Sequence, residues 1–96
     1  MRLLFSSVAR DDLRSITRYI ATARPNVARE IFIRIRDKCH LIAKHPELGQ
    51  RRFELGEGYR SFVTERWVIL DEVFENTVEI HRILDAARDV DPLVDR

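Results

Sequence analysis

The groups of this 96-residue chain that could act on a substrate gather in its second half. Arg51, Arg52, Arg60, Arg66, Arg82 and Arg88 all fall on or beside runs that alternate like strands. One stretch, Arg82-Ile83-Leu84-Asp85-Ala86-Ala87-Arg88-Asp89, ends an apolar run with two acids and an arginine packed close together. Arginine can steady phosphate or carboxylate charge through its planar fork, but it stays protonated and makes a poor base. Metal-free RNA cleavage needs a positioned base, a positioned acid and cations for the phosphate. These arginines supply only the last, so no catalytic residue is assigned.

Alternation places Arg60 on the side of Phe62, and Arg82 on the side of Ile80 and Leu84. An arginine among core-side residues must be paired, because an isolated buried charge is prohibitively costly. Arg82 is therefore expected to hold Asp71 or Asp85. Asp71 interrupts the Trp67, Ile69, Val73 side and needs a partner of its own.

Metal chemistry fares no better by spacing. His40 and His45 lie five apart and His81 stands alone on a strand, so no pair has the i, i+4 spacing of a helical zinc site. Cys39 has no second thiol, which excludes an internal disulfide framework, and it sits in an apolar stripe as a core residue. There is no phosphate-binding glycine loop and no G-x-S-x-G elbow. Neither metal nor cofactor is expected.

The elements that must carry these groups can be read from the periods. Residues 2–5 suit a short strand, and Ser6 and Ser7 offer N-cap hydroxyls. Val8, Leu13, Ile16, Ile20 and Ala23 recur at helical spacing, and Pro25 ends that helix while fitting the first turn of another. Ala28, Ile31, Phe32, Ile35, Cys39 and Ile42 form the second apolar stripe. Ile33 and Leu41 lie off it, either widening the core face or meeting a partner, with the wide core preferred. After the turn at Pro46 and Gly49 the period becomes two: Arg52 to Leu55, Tyr59 to Thr64, Trp67 to Phe74, and Val78 to Leu84 beyond a short loop at Glu75. Helices followed by strands predict one α+β domain over 1–96, an N-terminal helical hairpin on a curved antiparallel sheet of three to four main strands.

Bulk properties narrow the class. Seventeen Lys and Arg against sixteen Asp and Glu give a net charge of +1, far from a domain that lives on phosphate contacts. Lys38 and Lys44 are the only lysines, so fifteen cations are arginine, suited to acidic partner segments, although a bias toward arginine codons would give the same count. The opening apolar run is too short for a signal peptide and nothing approaches a membrane span, so a reduced, cytoplasmic protein is expected.

The order of the motifs resembles a known family. "SSVARDDLRSITRYI", then "LIAKHPELGQ", "GYRSF", "WVILDEV" and "VEIHRILDAARD" follow one another as in the ParE branch of the ParE/RelE toxin superfamily, the toxins of bacterial type II toxin–antitoxin modules. The resemblance runs from about Ser7 to Pro92. It implies a toxin that poisons DNA gyrase and a ParD-like antitoxin whose disordered segment folds over it, along the helical hairpin and across the sheet, in assemblies that often resemble heterotetramers. RelE-like relatives instead cut mRNA on the ribosome. For that chemistry Arg60 and Arg88 could serve as cations, but Val68 stands where a strand arginine would be wanted and Val94 where a tyrosine would be. The sequence also has Asp85 and Ala86 where His and often Gly are common, and Asp71 where an aromatic residue is usual. Three readings follow: a gyrase-binding toxin, preferred; an mRNA endonuclease; and an inert antitoxin-binding scaffold. Arg60, Arg82 and Arg88 are the candidate polar contacts, with Ile33 as an apolar one and Asp85 as the altered corner. The segment from Asp89 to Arg96 is a candidate for the gyrase contact.

Overall fold

The computed structural model describes residues 1–86. β1 (Arg2–Phe5) leads into α1 (Ser7–Ala21) and α2 (Pro25–Lys44), followed by a 3-10 turn at Pro46–Leu48. β2 (Gln50–Arg51), β3 (Tyr59–Thr64), β4 (Trp67–Phe74) and β5 (Thr77–Asp85) complete one sheet in the order β1-β5-β4-β3-β2. Two helices pack on this sheet, as the change of period predicts. Among the described residues no helix is long and apolar enough to cross a membrane.

The sheet departs from expectation in its strand count and in the direction of one strand. It has five strands, and β1 runs parallel to β5, from Arg2 opposite Thr77 to Phe5 opposite Ile80. A parallel neighbour demands a long crossover, and everything from α1 to β4 supplies it. The expected strand at Arg52 to Leu55 is a turn, with the Leu55 amide donating to the Arg52 carbonyl at 3.0 Å. Pairing with β3 belongs to Gln50 and Arg51 instead. Gly58 must be glycine: its φ is +88°, and a Cβ would lie 2.6 Å from the Val73 carbonyl oxygen.

Local chemistry sets the helix starts. Ser6 has extended backbone, its Oγ accepts from the Ala9 amide at 3.0 Å, and the same hydroxyl donates to the His81 carbonyl at 2.9 Å. One side chain therefore caps α1 and ties it to β5. Pro25 opens α2, where its missing N–H costs nothing.

The main core joins Leu13 and Ile16 of α1, Ile35 and Ile42 of α2, and Ile69 and Ile80 of the sheet. The outer ends of both stripes fall short of it. Val8 is 48% exposed and Ala23 also faces water, while Ala9 takes the buried place. Phe32, Ile33 and Leu41 are likewise exposed, which corrects the wide-core reading. The arc from Ile35 through Cys39 to Ile42 is enough to reach the sheet, and these flanking residues point past it.

A register shift on β5 reorders the faces. Leu70 pairs with Arg82 and Asp71 with Ile80, leaving His81 as the extra residue of a bulge. Ile80 and Ile83 both enter the main core, and Leu84 joins Val68 and Leu70 in a second buried cluster. Strict alternation across Ile80, Arg82 and Leu84 therefore fails at His81.

Candidate functional site

The hairpin carries a groove that its sequence pattern does not announce. A hollow of ≈ 350 Å³ opens between α1 and α2, floored by Phe5, Leu13 and Phe32 and edged by Arg10, Arg14 and Arg36. It continues past Arg14 and Phe32 into a second hollow of ≈ 330 Å³ edged by Arg18 and Arg29. Among the described residues no carboxylate lines either one. Helical spacing explains the arrangement: Arg10, Arg14 and Arg18 step along one side of α1 four residues apart, and Arg29 and Arg36 do so along α2 seven apart. An apolar floor under a fringe of guanidinium groups fits a segment with apolar anchors and acidic flanks.

The residues singled out by sequence are mostly occupied elsewhere. Arg60 projects on the helix side and donates to the Gly49 carbonyl at 3.1 Å, fastening β3 to the turn after α2. Arg82 holds neither Asp71 nor Asp85: its Nε and Nη2 donate to Asp12 of α1 at 2.8 and 3.1 Å. The reason is the early end of β1 at Phe5, which leaves the next stretch of β5 edge to α1. Asp12 fills that gap, also accepting from the Ile83 amide at 2.9 Å as a strand would. Asp85, at the end of β5, instead takes a two-pronged bond from Arg66 of the β3–β4 turn at 2.7 and 3.3 Å. Ile33 is exposed on α2 beside Phe32. Arg88 and the segment from Asp89 to Arg96 lie outside the described residues.

Asp71 is the one wholly buried carboxylate among the described residues, and neither of its oxygens has a hydrogen-bond partner. Arg60 is its neighbour across the strands, but the guanidinium is turned to Gly49. Burial pushes the Asp71 carboxyl up to about 7, against the opposing pull of Arg60 and His81. The same burial, with Asp71 nearby, raises the Cys39 thiol to about 12 and leaves it an inert core group.

The face of the sheet away from the helices carries a different set. Tyr59, Glu72 and Glu79 form one cross-strand row over β3, β4 and β5. His81 stacks on the Tyr59 ring at 5.2 Å and sets its Nε2 2.9 Å from Glu72. Burial, then Glu72 and Glu79, push the Tyr59 phenol up. Sequence spacing left His81 isolated because its partners lie across strands, where only register brings them together. The groove was missed for a related reason: its arginines read as solvated and Phe32 as core. The usable signal was the run of three large apolar residues, Ile31-Phe32-Ile33, which spans more of the helix than one core-facing stripe takes up.

The arrangement matches known proteins over most of its length. The model of the ParE toxin of the type II toxin–antitoxin system parDE matches residues 3–90. Among solved structures, one from the chromosomal ParDE toxin–antitoxin system of P. aeruginosa is similar at a TM-score of 0.76. That alignment covers 88% of this chain and 95% of the other at 20% identity, a likeness of fold. Among curated proteins, none matches in sequence. With the family model spanning nearly the whole chain, and a helical hairpin on a sheet beneath it, this protein belongs to the ParE toxin family of type II toxin–antitoxin systems.

Proposed function

We propose that the chain stops bacterial growth by binding and poisoning DNA gyrase in the cytoplasm, acting as a protein ligand and not as an enzyme. We further infer that a ParD-like antitoxin silences it by folding an amphipathic acidic segment into the hairpin groove. The observation that carries this reading is the groove itself, with Phe32 41% exposed on its floor and arginines on both edges. A disordered segment that folds on binding gains affinity by burying apolar anchors, and carboxylates meeting arginines fix its register. Family membership supports both partners, since gyrase poisoning and ParD neutralisation are what the ParE resemblance implies.

Adding the purified chain to gyrase and supercoiled plasmid tests the target. Accumulation of cleaved DNA and loss of supercoiling are expected; the absence of both would sink the gyrase reading. Growth unaffected by induction without antitoxin would favour the inert scaffold.

One observation favours the second reading. Tyr59, Glu72 and His81 give the outer face a titratable set that the arginines alone lacked. Fragmentation of mRNA only in the presence of ribosomes would promote the endonuclease.

A further inference from the structure

Three groups of metal-ligand type, drawn from two neighbouring strands, converge on the outer face of the sheet. Glu72 of β4 and Glu79 of β5 stand directly opposite one another, and His81 follows two residues along β5. A carboxylate oxygen from each glutamate and a ring nitrogen of His81 all lie within 4.8 Å of one another. His81 Nε2 is 2.9 Å from Glu72 and 3.9 Å from Glu79. We propose that Glu72, Glu79 and His81 form a binding site for one first-row divalent cation of the zinc or manganese class, with remaining positions open to water or to a partner's donor atom.

Charge gives the first reason. Like charges directly opposite on neighbouring strands repel. These side chains are only 26–29% exposed, so water screens that repulsion incompletely. A single imidazolium charge could offset only one of the two carboxylates, whereas one divalent ion offsets both. Ligand chemistry gives the second. Two carboxylate oxygens with one imidazole nitrogen suit borderline ions, while calcium and magnesium prefer oxygen alone.

Preorganisation gives the third. Both glutamates sit on paired strands, not on loops, and the Tyr59 ring lies against the imidazole at an interplanar angle of 22°. His81 is the extra residue of the bulge, and Ser6 Oγ holds its carbonyl. Metal–ligand bonds of about 2.0–2.2 Å bring ligand atoms roughly 3–3.5 Å apart. The His81–Glu79 edge of 3.9 Å must contract and the Glu72–Glu79 edge lies within 4.8 Å, adjustments within reach of glutamate rotamers.

The full chain, stripped with chelator, is titrated with Zn²⁺ and separately with Mn²⁺ by calorimetry, and its thermal midpoint is followed with and without ion. One ion per chain and a metal-dependent rise in the midpoint are expected. Glu79→Gln and His81→Gln should each weaken binding about tenfold or more. His45→Gln, at an exposed histidine on another part of the surface, should leave it unchanged. Glu72→Gln provides a further ligand variant should either of the first two fail to fold. A purely structural ion pair would move the metal-free midpoint and leave no metal-dependent increment to lose. Absence of saturable binding by either ion below about 1 mM overturns the site. So does binding that survives His81→Gln intact.

Discussion

The helical hairpin and the sheet divide the charge of this chain unequally. Between Ser7 and Lys44 nine Lys and Arg stand against four Asp and Glu; between Gln50 and Ala86 the balance reverses, five against eight. The net charge of +1 averages the two away. Fields at physiological salt decay over about 8 Å, while the molecule measures 39 × 31 × 22 Å, so a partner meets one face and not the sum. The groove offers guanidinium groups over apolar floor, and the outer sheet face offers paired carboxylates. Near-neutral composition excludes a protein that coats itself with phosphate. It says nothing against a cationic slot for one acidic segment.

Reversing charge on one face and then the other is the sharpest way to break this contrast. Arg14→Glu with Arg36→Glu should lower antitoxin affinity by at least about a hundredfold, near 3 kcal/mol, because two attractive contacts become repulsive. Folding should hardly change, since among the described residues these arginines pair only with exposed Asp11 and Asp37. Glu72→Gln with Glu79→Gln should leave antitoxin affinity within about threefold. Calorimetric titration of both double variants decides it. Equal losses from the two faces would show that the antitoxin does not distinguish them.

Two aspartates make the same contrast inside the fold. Asp12 accepts from Arg82 twice and from the Ile83 amide, so its carboxylate stands in for a missing strand. Asp71 is buried without a hydrogen bond to either oxygen. Asp12→Ala should cost about 2 kcal/mol, because it orphans a part-buried amide and removes charge-assisted bonds partly open to water. Urea unfolding of the variant at neutral pH measures this.

Asp71→Asn should act the other way, and only above acid pH. The folded-state value near 7 lies above the ordinary 3.8, so as pH rises the unfolded chain gives up this proton first. Stability tied to the retained proton is complete below about pH 4 and is lost as pH climbs toward 7 and beyond. The variant lacks that loss. Its stability relative to the native chain should therefore improve by about 4 kcal/mol between pH 4 and pH 8, read from denaturation curves at both ends. A constant difference across that range would mean Asp71 titrates as an ordinary carboxylate.

The ease of reading this fold tracked how local each cause was. Ser6, Pro25 and the change of period from 3.6 to 2 act within a few residues, and the helices and β3 to β5 follow from them. The pairing of β1 with β5 depends on residues some 75 positions apart, for which a short apolar run carries no signature. Arg82 shows the same limit: its need for a carboxylate is legible, but Asp12 as the partner follows from where β1 ends. The bulge at His81 adds a second, since one extra residue exchanges the faces that alternation assigns. The arginine groove has no signature in either helix, because each helix face alone patterns as core or solvent. A surface shaped by two helices together belongs to neither helix alone.

Two turns offer the smallest effect and a clean control. Glu65 and Glu75, at the ends of the β3–β4 and β4–β5 hairpins, hold φ of 54° and 49°, a region where a side chain is strained by about 1 kcal/mol. Glycine at Glu75 should relieve the strain and raise stability by roughly 0.5 kcal/mol, after its greater unfolded-state freedom is subtracted. Glu65 differs in one respect: it receives Arg34 of α2 at 2.9 Å, an exposed pair that ties the cationic hairpin to the acidic sheet. Such pairs contribute about 0.2–1 kcal/mol, comparable to the strain itself. Glu65→Gly should therefore gain nothing, and Glu65→Gly with Arg34→Ala should be no worse than Arg34→Ala alone. Thermal midpoints of the four chains test the difference. If Glu65→Gly stabilises as much as Glu75→Gly, the ion pair bridging the two halves contributes nothing to the fold.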